Sequence, residues 1–142
     1  MYLDSAIIIK LLVNEPDSPV FEQAILGHLV STCELAVTEV WAALLAKERA
    51  HAITASERKS AWAEFSAWMD DDRIEVQSLD GQLLQRARNT LERCHPDVPL
   101  RTLDSIHVAA CEHSQDFPLC ATNKRMRDAA QLLHIPLFPE KI

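Results

Sequence analysis

Along the chain, brief β-prone runs alternate with longer stretches in which apolar residues return every three or four positions. Met1-Tyr2-Leu3 reads as a short strand that runs into Asp4-Ser5, and the apolar segment from Ala6 to Leu12 as the helix after it. Asn14-Glu15-Pro16-Asp17-Ser18-Pro19 is turn chemistry, because its prolines cannot sit in a helix interior. A helix is expected from near Pro19 to about Gly27 with Val20, Ala24 and Ile25 inward, then a strand at Leu29-Val30-Ser31-Thr32. From Leu35 to Ala50, Val37, Val40, Trp41, Leu44 and Leu45 form one helical stripe, and Glu39 stands above a face of small residues, Ala42, Ala43, Ala46 and Ala50.

Ser56 to Met69 reads as a further helix, capped by Thr54 or Ser56, with Ala61, Trp62, Phe65 and Trp68 inward. Asp70-Asp71-Asp72 is read as a solvated turn, and Arg73 to Gln77 alternates as a strand does. Asp80 caps a helix running from about Gly81 to Arg93, and His95 to Pro99 is a loop. A helix restarts at Thr102, its expected cap, with Asp104 in the first turn and Leu103, Ile106, Ala109 and Ala110 in helical register. Pro118 to Ala121 is a strand ending at Thr122-Asn123, Lys124 to Leu133 a helix, and Pro136 to Phe138 a closing edge strand. This alternation predicts an α/β fold: a small parallel sheet of four to five strands with helices on both faces, in one domain over residues 1–142.

A chain of 142 residues can bury a core without help from metal or disulfide. Two glycines, Gly27 and Gly81, are too few for a phosphate-cradling loop, which removes nucleotide-cofactor chemistry. The net charge of −7 repels polyanions overall, so a nucleic-acid substrate would need a local basic patch or a metal. Cys33, Cys94, Cys111 and Cys120 form no C-x-x-C pair, and with no signal peptide they predict reduced thiols in a cytoplasmic protein. No apolar run approaches the ~20 residues of a membrane span, so no membrane association is expected.

Three acids fall at equivalent places in this pattern. Asp4 ends the first strand, Glu39 lies near the start of the helix after the second, and Asp104 opens a later helix. Taken singly, Asp4 reads as a helix cap and Glu39 as a stabiliser of a helix N-terminus. Parallel strands share one carboxyl edge, however, so the three can meet in one crevice. Carboxylates ~5 Å apart repel by about 3 kcal/mol per pair at an effective dielectric of 20, so such a pocket holds raised pKa values or a divalent cation. Oxygen ligands without clustered His or Cys favour Mg²⁺ or Mn²⁺, and the matching reaction class is metal-dependent phosphodiester hydrolysis.

Tyr2-Leu3-Asp4-Ser5-Ala6 with Lys10-Leu11-Leu12, then Val37-Thr38-Glu39-Val40, then Leu103-Asp104-Ser105-Ile106-His107-Val108-Ala109-Ala110, then Ala121-Thr122-Asn123-Lys124-Arg125-Met126, resemble in order and spacing the PIN-domain ribonucleases. Within them the chain looks most like the VapC-type toxins of bacterial toxin–antitoxin pairs. The resemblance implies a Mg²⁺- or Mn²⁺-dependent endoribonuclease that cuts RNA, is neutralised by a small antitoxin and forms a homodimer. It makes Asp4, Glu39 and Asp104 the metal-binding catalytic acids, with Ser5 and Thr38 beside the first two and Thr122 and Asn123 in the fourth motif. Where the family usually has a fourth acid stands Asn123, which implies weaker metal binding, a single ion and a question over activity; a plain helix cap is the other reading. The alternative function is therefore a PIN-like RNA- or protein-binding module with weak or lost nuclease activity. A receiver-like signalling domain fits worse, since Ser5 and the Ile74–Leu79 segment lack its acids.

Lys124, Arg125 and Arg127 form the candidate RNA-binding patch, because cations in a helix's first turn oppose its dipole unless an anion is near. His107, one turn from Asp104, reads as a core histidine, an orienter of Asp104 or a proton-transfer group. A zinc site from Cys94, His95, Cys111, His113 and Cys120 is conceivable on composition, against irregular spacing.

Overall fold

The computed structural model describes residues 1–140. Its strands β1 (Tyr2–Leu3), β2 (Ser31–Cys33), β3 (Glu75–Gln77), β4 (Leu119–Cys120) and β5 (Leu137–Phe138) pair in parallel in the order β3-β2-β1-β4-β5. Between them run α1 (Ser5–Leu12), α2 (Ser18–Ile25), α3 (Glu34–Arg49), α4 (Ala55–Asp70), α5 (Gly81–Cys94), α6 (Thr102–Ser114) and α7 (Lys124–Leu132). Parallel pairing requires crossovers, and the crossover helices cover both faces of the sheet. Successive strand residues point to opposite faces. Tyr2, Cys33 and Leu119 pack with Leu83 and Ala87 of α5, Val108 of α6 and Met126 of α7. Leu3 and Cys120 pack on the other side with Ile7 and Ile8 of α1, Val40 and Leu44 of α3 and Phe65 of α4. The expected architecture is the observed one, with five strands.

The chain starts at the middle of the sheet, adds β2 and β3 to one side, then crosses to add β4 and β5 on the other. The order reverses between β1 and β4, and in α/β sheets the crevice beyond the carboxyl ends at such a point binds ligands. Asp4 leaves β1 there, its N–H donating to Cys120 O at 3.2 Å, and Ala121-Thr122-Asn123 leave β4 beside it.

Several local expectations shift. The second strand lies at Ser31–Cys33, not Leu29–Thr32, because pairing sets it: Ser31 is the register partner of Tyr2 and donates to Met1 O at 3.0 Å, while Leu29 is 94% exposed. In α2 the expected Ala24 and Ile25 pack partly buried against the core, but the most buried apolar residue is Phe21, edge-on to Phe138 at 6.1 Å, and Val20 faces solvent. Trp62 and Trp68 are half-buried, lying with Trp41 over the buried Phe65. The third strand begins at Glu75, with Ile74 buried ahead of it. Thr54 caps α4 through a full capping box with Glu57, whereas Thr102 is inside α6, whose cap position is Arg101.

Candidate active site

Asp4 is set by the end of β1 and the start of α1. Its backbone is extended, as a cap position requires, and its Oδ1 accepts the Ile7 N–H at 2.9 Å. The side chain is also buried, 3% exposed. Burial, with the nearby charge of Glu39 adding to it, pushes its carboxyl up to about 6 against the lowering effect of the Ile7 N–H and His107. Ser5, next along, is half-buried, and its hydroxyl helps hold Glu39 in its ionised form.

Glu39 comes from the second turn of α3, which begins directly after β2. Its Oε2 lies 2.6 Å from Nε2 of His107, a ring 2% exposed on α6. Nδ1 of the same ring lies 2.9 Å from the Tyr2 hydroxyl, and Cys33 Sγ stands 3.9 Å away. Burial disfavours charge on the imidazole, but hydrogen bonds and charge from Cys33 and Glu39 outweigh it and raise His107 well above its ordinary value. Burial likewise opposes ionisation of Glu39, and the His107 hydrogen bond and charge reverse this, holding the carboxyl below its usual range. His107 therefore serves Glu39, not Asp104. No local spacing signals this contact, which joins residues 68 apart on different helices. Thr38, beside Glu39, is exposed.

Asp104 sits in the first turn of α6 with its side chain 15% exposed. Asn123 caps α7, its Oδ1 accepting from Arg125 N at 2.9 Å and Met126 N at 3.3 Å, while its Nδ2 donates to Asp104 Oδ1 at 3.3 Å. The cap reading of Asn123 is the observed one: its amide oxygen is committed to α7, and only the amide nitrogen reaches an acid, Asp104. Arg125 Nε approaches Asp104 Oδ2 at 3.5 Å. Thr122 is half-buried between β4 and α7. Lys124 is exposed and paired with Asp128 one turn on at 2.8 Å. Arg127 departs from the expected surface patch: it is buried, donating to Ala121 O at 2.9 Å and Pro139 O at 2.6 Å. Its guanidinium binds the end of the sheet together.

The donor chemistry fits a hard divalent cation. Asp4 and Glu39 are near enough that one raises the other's pKa, and a buried carboxyl held up to about 6 is relieved by positive charge. On Asp104, Arg125 supplies that charge. Among the described residues no three or more His, Cys, Asp or Glu side chains are drawn together closely enough to hold a metal ion: Asp4, Glu39 and Asp104 bring the donor types without a closed cluster, and the zinc set of Cys94, His95, Cys111, His113 and Cys120 is not assembled. All four cysteines are free and buried.

A PIN domain family model matches residues 1–132. Ribonuclease VapC46 of Mycobacterium tuberculosis is 34% identical in an alignment of 136 residues that covers 94% of this chain and 92% of that protein. Among solved structures, the Sarcin-Ricin loop cleaving toxin VapC20 of Mycobacterium tuberculosis aligns with a TM-score of 0.69 at 15% identity, covering 90% of this chain and 93% of that one. FitAcB of Neisseria gonorrhoeae aligns with a TM-score of 0.70 at 13% identity, covering 96% and 95%. VapBC2 of Rickettsia felis, bound to a DNA fragment from its promoter, aligns with a TM-score of 0.65 at 12% identity, also covering 96% and 95%. The structural likenesses speak to the fold; the match over residues 1–132 and the 34% identity carry the assignment that the chain belongs to the PIN domain family.

Proposed function

We infer that this chain is an endoribonuclease of the VapC kind, the toxin of a bacterial toxin–antitoxin pair, and that it hydrolyses RNA phosphodiesters with Mg²⁺ or Mn²⁺ held by Asp4, Glu39 and Asp104. The observation that carries the reading is Asp4: a buried carboxyl at the switch point of the sheet, pushed up to about 6, in a chain of this family. Similarity to a ribonuclease along nearly its whole length adds support. When bound, the ion supplies activation of water and neutralisation of the charge that builds on the attacked phosphate. The protein's part is positional. Protein donors hold each acid: Ile7 N–H on Asp4, His107 with the Ser5 hydroxyl on Glu39, and Asn123 and Arg125 on the two oxygens of Asp104. Ser5, Thr38 and Thr122 supply hydroxyls around them, and Lys124 and Arg125 supply cations for the RNA backbone. The whole chain acts as one domain, since β5 completes the sheet beyond the matched segment.

The test is cleavage of RNA by protein freed of any partner. Cleavage is expected with Mg²⁺ or Mn²⁺, to stop with EDTA, and to fall by about 10²-fold or more in Asp4→Asn and Asp104→Asn variants that keep the wild-type circular dichroism spectrum. Wild type that binds RNA yet cleaves none with either metal would instead be a binding module. One observation favours that second reading: Asn123, in place of a fourth acid, has its Oδ1 committed to capping α7.

A cytoplasmic antitoxin partner and a homodimer complete the proposal. No helix among the described residues is long and apolar enough to cross a membrane. A groove of about 1060 Å³, lined by Leu11, Ile25, Leu29, Trp68 and Ile74 together with the charged Glu64 and Arg73 and by none of the three acids, is a mixed apolar and charged surface suited to a partner segment. Co-purification with the product of a neighbouring short reading frame, and light scattering of the separated toxin, test these two assemblies.

A further inference from the structure

The buried ring of His107 is a titratable group at the site that the cleavage reaction does not call for. It is fixed at both nitrogens: Nε2 by Glu39 Oε2 at 2.6 Å, and Nδ1 by the Tyr2 hydroxyl at 2.9 Å with Cys33 Sγ at 3.9 Å, the Tyr2 ring standing edge-on at 6.0 Å between centroids. His107 and Asp104 are three residues apart on α6 and so lie on neighbouring positions of one helix surface. We propose that His107 is the positioning residue of Glu39: its Nε2–H pins one carboxylate oxygen, Tyr2 holds the ring from behind, and the other oxygen is thereby presented to a divalent cation. The proposal rests on the reading of Asp4, Glu39 and Asp104 as the metal set.

One rigid helix then sets two of the three acids, Asp104 directly and Glu39 through His107. The need for this follows from where Glu39 is anchored. It projects from α3 on a long side chain, 24% exposed, and His107, aided by the Ser5 hydroxyl, keeps its carboxylate from turning to solvent. Partners that orient metal-ligating carboxylates in this way change metal affinity by ten- to a hundredfold when removed. A charged imidazole also repels a cation, which works in the opposite direction. His107→Gln separates the two effects, because a glutamine amide keeps an N–H donor and carries no charge.

The experiment is calorimetric titration of the full chain, freed of partner, with Mn²⁺. His107→Ala is expected to weaken binding by about 10- to 100-fold, and His107→Gln to recover most of the loss. Tyr2→Phe, which removes only the hydroxyl behind the ring, should weaken binding by less than His107→Ala. In a Glu39→Gln background, the added His107→Ala change should cost nothing further, an outcome that a general structural role would not give. Equal binding by wild type and His107→Ala overturns the proposal, as does tighter binding by His107→Gln than by wild type, or an undiminished His107→Ala effect in the Glu39→Gln background. If His107→Ala does not fold, His107→Gln and Tyr2→Phe decide on the same criteria. Wild type that binds no Mn²⁺ overturns the metal reading and this proposal together, whereas Mn²⁺ binding insensitive to residue 107 overturns this proposal alone.

Discussion

Asp4 caps α1 and is also the most buried acid of the site, and the two roles oppose each other. The Ile7 N–H favours the carboxylate, while burial and then the charge of Glu39 push the carboxyl up to about 6. An aspartate in an unfolded chain loses its proton near pH 3.9. Between these two values the unfolded chain has released a proton that the folded protein still holds. Rising pH therefore favours unfolding through this window, and the penalty is complete above about pH 6. Two pKa units correspond to about 3 kcal/mol, which ionised Asp4 costs the metal-free fold at neutral pH. Asp4→Asn keeps a capping oxygen and cannot ionise. It should raise stability in urea by about 1–3 kcal/mol at pH 7.5 in EDTA, and by far less at pH 4, while removing cleavage. A stability difference that does not grow from pH 4 to pH 7.5 would show that Asp4 ionises in the fold without strain.

At the scale of elements, α7 is tied to the site through its cap. Asn123 uses its oxygen for the helix and its amide nitrogen for Asp104, so the residue links helix stability to the placement of an acid. Asn123→Asp retains the capping oxygen, loses the donor and sets a second carboxylate against Asp104. The metal-free variant should lose roughly 1–3 kcal/mol through repulsion at short range, offset in part by the favourable field of a helix N-terminus. Mn²⁺ should then raise its melting temperature by more than it raises that of wild type. Equal increments in a thermal-shift titration would mean that residue 123 does not face the ion.

For the whole molecule, a net charge of −7 leaves RNA binding to local cations. Arg125 borders the site and Lys124 is exposed beside it, whereas Arg127 is an internal clamp on the Ala121 and Pro139 carbonyls. Each phosphate contact to single-stranded RNA contributes about 0.7 to the slope of log K against log salt. In the non-cleaving Asp4→Asn background, Arg125→Ala should reduce that slope by about 0.7. Arg127→Ala should leave it unchanged and lower stability by about 1–3 kcal/mol, the cost of unmade hydrogen bonds to buried carbonyls. The reverse pattern, measured by filter binding over a salt series and by urea unfolding, would place Arg127 on the RNA.

What the sequence alone determined follows from local physics. Crossover helices and strands buried on both faces write strong periodicities, so the α/β alternation and most helix bounds were legible, as was the position of Asp4, Glu39 and Asp104 at strand ends and helix starts. Caps such as Thr54 and Asp80 were legible for the same reason, since their hydrogen bonds span only three residues. Tertiary structure decided what depends on packing between distant segments. It moved β2 from Leu29 to Ser31, because a parallel strand takes its register from its neighbour. It turned Arg127 inward, where the carbonyls beyond β4 and β5 need donors. It gave His107 to Glu39 instead of Asp104, because the contact between α3 and α6, and not the spacing along either helix, sets which side chains meet.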